Sequence, residues 1–375
     1  MFRKAMASDD ATLSIDFSTG TLPSGMTLTR GTSGTYINES GVLSFAISNT
    51  ARFDYTGGSF RGLLIEAEAT NLLTYSEAFT PSWTDSSITR DSTGATSPRN
   101  SAEALQVTAS AGNATIIRSA AIGSSAQRTF SIWLRRNSGS GNVQYTLDNG
   151  GTWTTQAITS TWTRYIFPAT TANHQVGIRI VTSGDSIELF GAMLEVGSGA
   201  SSYIKTIAST VNRQADFAVI SDISAIGFNT AGGSLAMRGY QTKLSSGSYP
   251  ALAAFLDSGD VDVFGIRNDL AGAVMFGRFA GTSTSAEANR TITNNAAYAF
   301  AMSVNPALTT SAIIVSMNGS STTANKSGSA TAISTPTKFA LTRPGYGLYI
   351  NCGAITSIKY WSTVKTAAEL NAITT

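Results

Sequence analysis

The sequence predicts an all-β protein: two tandem antiparallel β-sandwiches of jelly-roll type, preceded by a short irregular N-terminal segment and closed by one short C-terminal helix. Three observations carry this expectation. Apolar and polar residues alternate with a period of two over many short runs, the pattern of strands with one buried face. Gly, Asn and Ser punctuate those runs from end to end. Only one stretch, 365–373, has a defensible helix signature.

Taken in order, residues 1–61 are rich in Gly, Ser and Thr and alternate weakly. The segment 62–79 is apolar, with Leu63, Leu64, Ile65, Leu72 and Leu73 around Glu66 and Glu68. It reads as a core plug between the first segment and the sandwich that follows. Phe130, Ile132 and Leu134 point to one face and Ser131, Trp133 and Arg135 to the other. The run from Val143 to Leu147 leads into Asn149-Gly150, a pair that tolerates positive φ, so a hairpin is expected there. Further strands fit 162–167, 176–181, 186–194, 252–256, 261–266, 299–304, 312–317 and 355–361. Thr366 and Glu369 are spaced as a capping box, with Leu370 and Ile373 as a short apolar stripe behind it. These shifts place boundaries at 1–61, 62–204, a polar joint at 205–216, and 217–375. No repeat of fixed period is present, so the chain builds no fibrous shaft of its own.

Composition narrows the function. Charged residues are 13% of the 375, about half the usual share, and 25 basic against 23 acidic side chains leave a formal charge of +2. Without a basic cluster longer than Arg135-Arg136, a nucleic-acid partner is not expected. No apolar run approaches a membrane span, no signal-peptide core follows Met1, and a single cysteine, Cys352, precludes an internal disulfide. Cys352 alternates with Leu348 and Ile350 and reads as buried.

Catalytic constellations are sparse. Glu66 and Glu68 would lie about 6.5 Å apart along an extended chain, within the range of a glycosidase pair. Carboxylates bound to backbone amides or to an Arg at a domain junction explain the same residues. The sole histidine, His174, sits in a polar turn without a nucleophile elbow in the chain. No catalytic residue is assigned, and the protein is expected not to be an enzyme.

A family resemblance adds to this. The succession of Leu13 to Phe17, Met26 to Tyr36, Gly41-Val-Leu43, Ala51 to Tyr55 and Arg61 to Glu66 resembles bacteriophage virion proteins of the tail-fibre or minor structural kind. Thr70 to Leu73, Ser76 to Phe79, Ser82-Trp83, Phe130 to Trp133, Thr161 to Arg164, Gly191 to Ser198 and Ser202 to Ile204 resemble the jelly-roll carbohydrate-binding-like module of such proteins. From Asp216 onward, the opening strand, the turn at Asp257 to Asp260 and the strand ending at Trp361 resemble a concanavalin A-like or laminin G-like sandwich.

The resemblance implies a virion-surface protein, made in the host cytoplasm and released by lysis, that contacts host-surface polysaccharide. Its expected partners are other virion proteins and further copies of itself, as a homotrimer, with no membrane insertion. A purely structural capsid or tail decoration subunit is the alternative, and a polysaccharide depolymerase a third reading. Sugar faces stack on aromatic rings while planar polar groups take the hydroxyls, so Trp133, Arg135, Trp153, Tyr240 and Tyr249 are the glycan-binding candidates. Trp162 and Trp361 read as core. No cofactor is expected beyond a possible structural calcium at Asp257, Asp260 and Asp262, where a tight turn with solvated acids is the plainer reading. Glu195 and Asp185 form a second such candidate. Leu13, Ile15, Phe17 and Phe53, apolar in a Gly/Ser-rich setting, are expected to anchor the chain to the particle.

Overall fold

The structure is a computed structural model that describes residues 10–91, 94–118, 125–172, 174–243, 251–268, 274–281, 284–293, 295–326, 331–342 and 352–375, and within these all side chains but those of 251, 262, 268–289 and 352. Among the described residues the chain is all-β, with antiparallel sheets and one α-helix, Ala367–Thr374, as its periodicity predicts.

The division of the chain differs from the expected one. One unit comprises 1–41, 46–68 and 214–375, and the second comprises 42–45 and 69–213. The second unit is thus inserted in the first, and the early segment belongs to the later sandwich. Backbone pairing is the reason. Leu13–Asp16 pairs with the far end of Cys352–Trp361, Leu13 opposite Tyr360, while Gly62–Ile65 pairs with its near end, Leu63 opposite Ile355. Met26–Thr29 pairs with Phe217–Ile220. A segment that alternates weakly has become edge and interior strands because distant partners satisfy its backbone groups.

Two sheets enclose the first unit's core. The eight-stranded sheet runs Ser320–Ala324, Ile313–Met317, Ala296–Val304, Gly233–Lys243, Cys352–Trp361, Gly62–Ile65 and Phe53–Asp54, with Leu13–Asp16 beside Cys352–Trp361. The seven-stranded sheet runs Met26–Thr29, Phe217–Ile220, Lys338–Leu341, Ala251–Leu256, Asp262–Asn268, Val274–Gly281 and Thr284–Thr291. Phe255 of one sheet meets Tyr360 of the other edge-on at 4.8 Å, and Phe228 stacks on Tyr360 at 5.5 Å. Ile15 and Phe17 are buried in this core, and Leu13 and Phe53 pack against it. Ile15 and Phe17 are thus taken up by the unit's own core, while Leu13 and Phe53 are only partly buried.

The helix covers the other face of the eight-stranded sheet, where Leu370 and Ile373 pack on Ala236, Ala301 and Trp361. Its capping box forms as spaced: the Glu369 backbone N–H donates to Thr366 Oγ1 at 3.3 Å and the Thr366 N–H donates to Glu369 Oε2 at 2.7 Å. Trp361 is core, as read, with its indole N–H donated to Asp10 at 2.9 Å.

A buried ion network joins the three stretches of the first unit. Asp216 receives Arg30 Nη1 at 2.9 Å and Arg52 Nη2 at 2.6 Å, and Arg52 Nη1 reaches Glu66 at 2.8 Å. Arg30 also donates to the carbonyls of Thr32, Ile47 and Thr50, the Glu66 N–H donates to Asp216 Oδ2, and the Asp216 N–H donates to the Glu66 carbonyl. Burial opposes the Arg52 charge, and the carboxylates of Asp216 and Glu66 outweigh it, leaving its pKa raised. The residues expected in a polar joint therefore split: Asp216 is buried in this network, and Val211–Arg213 is a strand paired with Ala69–Asn71 in the inserted unit.

The inserted unit is a second two-sheet sandwich. One sheet orders Ala95–Thr96, Ala102–Ala109, Ser186–Val196, Ala126–Ser138 and Thr163–Thr171, with Ile88–Arg90 beside Ala102–Ala109. The other orders Thr154–Gln156, Val143–Thr146, Gly177–Ile180, Ala114–Arg118 and Trp83–Ser86. Phe130, Ile132 and Leu134 face the core between them, as the alternation predicts. The apolar segment 62–79 serves two cores, with Leu63 and Ile65 in the first unit and Leu73 and Phe79 in the second.

Two outcomes follow from these contacts. Asp216→Ala removes the carboxylate that two buried guanidiniums share and is expected to lower stability by about 3–5 kcal/mol, read as a lower urea midpoint for the first unit's transition. Thr366→Ala removes the helix cap and should cost about 1 kcal/mol in the same titration, with the inserted unit's transition unmoved.

Candidate functional site

The three middle strands of the five-stranded sheet in the inserted unit send alternate residues inward, and Val143, Tyr145, Ile178, Ile180, Ala114 and Ile116 meet the core. The residues between them must face out. Register aligns three of these in one row with a residue from each outer strand, Thr155 opposite Gln144, Gln144 opposite Arg179, Arg179 opposite Thr115 and Thr115 opposite Ser86. At about 4.8 Å between strands the row crosses roughly 19 Å of sheet.

Trp153 stands beside this row. It follows the turn at Asn149 and Gly150, whose φ angles of 62° and 81° show why that pair was selected there, although the loop between the paired strands is longer than a two-residue hairpin. Its ring is half-buried and rests against Gly150, where a Cβ would come within 3.2 Å of the indole. The Arg179 guanidinium lies 4.5 Å from the ring centroid. Arg179 Nε donates to Gln144 Oε1 at 2.7 Å, and because Arg can only donate, this bond fixes the amide with its Nε2 toward Thr155 Oγ1, 3.1 Å away. A ring, a guanidinium, an amide and three hydroxyls thus share one exposed face. In the same loop, the Asp148 carboxylate is turned onto the Thr146 hydroxyl and the Thr152 N–H, which hold its pKa down against burial.

The other sequence candidates lie elsewhere. Trp133 is only 6% exposed, packed edge-on against Tyr203 at 5.4 Å and Phe190 at 6.2 Å, with Arg164 over its ring, so it is a core residue of the sheet's second face. Arg135 is committed to Glu188 and also lies 4.9 Å from the centroid of Trp162. Trp162 is half-buried, not core, and donates its N–H to the Thr96 carbonyl at 2.9 Å. Tyr240, in the first unit, carries Arg61 over its ring at 4.1 Å and donates its hydroxyl to the Asn295 carbonyl. Tyr249, the side chains of Asp262 and Cys352, and Leu348 and Ile350 lie outside the described residues.

The acidic candidates have structural partners. Asp257 Oδ1 accepts the Gly259 and Val261 N–H groups at 2.8 and 2.9 Å, closing the turn, and Asp260 pairs with Lys338 at 2.6 Å. Asp185 accepts Gly141 N–H and pairs with Arg136, whereas Glu195 accepts Ser201 N–H at 2.7 Å. Among the described residues, no group of three or more His, Cys, Asp or Glu side chains is arranged to hold a metal ion. Glu66 is buried on Arg52 while Glu68 is exposed, so the two carboxylates do not converge on a common substrate.

His174 is buried, contrary to its reading as a polar turn residue. Arg128 Nη1 lies 3.0 Å from its Nδ1, and since Arg can only donate, Nδ1 accepts and Nε2 carries the proton toward the Ala169 carbonyl at 3.3 Å. Burial lowers its pKa, the Ala169 hydrogen bond resists this, and the Arg128 charge lowers it further.

No protein-family model matches the chain, and no curated protein does. Among solved structures, it is similar to the CBM40 of the Ruminococcus gnavus IT-sialidase bound to α2,3-sialyllactose, at 16% identity and a TM-score of 0.32, over 39% of this chain and 83% of that one. The binding domain of botulinum neurotoxin DC in complex with rat synaptotagmin II matches at 10% identity and a TM-score of 0.34, over 43% of this chain and 40% of that one. The botulinum neurotoxin serotype G binding domain matches at 8% and 0.34, over 42% and 40%. The chain thus spans well under half the length of the neurotoxin chains it matches.

A pH dependence follows from His174. Its folded-state pKa lies below the unfolded value of about 6.5, so the unfolded chain takes up the proton first as pH falls. The stability it contributes is complete above that value and is lost as pH falls toward the folded pKa. His174→Gln should therefore show a smaller drop in melting temperature between pH 7.5 and 5.5 than the parent chain.

Proposed function

We propose that this chain is a non-enzymatic bacteriophage virion-surface protein that binds host-surface glycan on the outer face of the five-stranded sheet. The observation that carries this reading is the row Thr155, Gln144, Arg179, Thr115 and Ser86 beside the half-buried Trp153. An indole with planar polar groups in register next to it matches what a sugar ring asks of a site: a stacking partner and directional donors and acceptors for its hydroxyls. The particle location rests on the resemblance of the sequence to phage tail-fibre and minor structural proteins. Attachment to other virion proteins and assembly as a homotrimer complete the reading, since several weak sites on one base raise avidity without any new contact.

Calorimetric titration with host-surface polysaccharide tests it. Trp153→Ala should lose about 1–3 kcal/mol of sugar affinity, as central aromatic contacts do, with an unchanged melting temperature because the ring lies outside both cores. A parent chain that binds no glycan while still labelling intact particles would replace this reading with that of a purely structural subunit.

A further inference from the structure

We infer that the sheet face selects acidic sugars, with Arg179 taking the sugar carboxylate through its two terminal nitrogens. This deepens the glycan-binding reading and rests on it.

Arg179 differs from several other arginines in how its charge is used. Arg30, Arg52, Arg90, Arg135 and Arg136 each face a carboxylate. Arg179 is half-buried at the centre of an outward-facing row and has no carboxylate partner among the described residues. Its Nε is given to Gln144, and its plane is held by the Trp153 ring at 4.5 Å. With Nε engaged, Nη1 and Nη2 remain as a fork without a protein acceptor among the described residues. A guanidinium fork is matched by two carboxylate oxygens, and a planar group already immobilised loses little entropy on forming both bonds. The flanking side chains, Thr115 on one side and Gln144 with Thr155 on the other, are neutral and suited to the hydroxyls of the same sugar. A neutral glycan would leave this partly desolvated charge unanswered.

Two carbohydrate classes carry such a carboxylate, uronic acids and nonulosonic acids, and the experiment separates them. The full chain is titrated with a tetragalacturonate and with a tetrameric α2,8-linked sialic acid, each beside its methyl ester, and with maltotetraose as a neutral comparator. The expected result is that at least one acid binds, that its ester binds roughly tenfold or more weakly, and that Arg179→Lys, which keeps the charge but loses the fork, weakens the acid by a similar factor and the ester little. Esterification alters the ligand alone, so the comparison does not depend on the variant folding, and an unchanged melting temperature for Arg179→Lys confirms that it does. Equal binding of acid and ester, or binding of maltotetraose alone, overturns the acidic preference and leaves glycan binding standing. No binding of any of the five probes at millimolar concentration overturns both.

Discussion

The architecture depends on four buried charges. Arg30, Arg52, Glu66 and Asp216 come from three stretches of the first unit that residues 42–45 and 69–213 of the second separate in sequence. Such ions are costly to desolvate, and the cost is met only when geometry and further hydrogen bonds satisfy every lone pair and proton. Here the carbonyls of Thr32, Ile47 and Thr50 accept from Arg30, and that of Thr35 accepts from Arg52 Nη1. The arrangement tolerates no substitute register, because shifting any one stretch would leave an unpaired charge in a dry interior. It thereby specifies where the chain leaves the first unit and where it returns.

Local rules made some of this visible beforehand. The Thr366 to Glu369 spacing, the Asn149-Gly150 turn and the inward triplet of Phe130, Ile132 and Leu134 each depend on residues within a few positions of one another, and each is found. Nonlocal pairing was not visible. Nothing in Leu13 to Asp16 names Ile358 or Tyr360 as its partner, so a segment with weak alternation read as a tether when it is a strand of the sandwich. The charges at 30, 52, 66 and 216 lie too far apart in sequence for any spacing rule to join them.

The candidate site was half legible. Trp153 stood out because it follows a turn and has no apolar pattern to join. Arg179 did not, although its place in Val176-Gly-Ile-Arg-Ile180 gave the signal: one charged residue at an outward position of an otherwise apolar strand. The reverse error befell Trp133. Periodicity placed it correctly on the face opposite Phe130, but periodicity cannot say whether that face is covered, and Phe190 and Tyr203 cover it. Trp162 was misjudged for the same reason, since Arg135 and the Thr96 carbonyl hold a ring that no core encloses.

The pairing of Leu13 with Tyr360 has a consequence for synthesis. Everything the inserted unit needs lies between residues 42 and 213, so it has all its strands while the ribosome is still translating the rest. The first unit must wait: its earliest strand has no hydrogen-bonding neighbour until Cys352–Trp361 emerges, more than 300 residues later. Until then Ile15 and Phe17 lack the strand that shelters them, so the longest exposure to misassembly falls on residues made early, not on those most recently made.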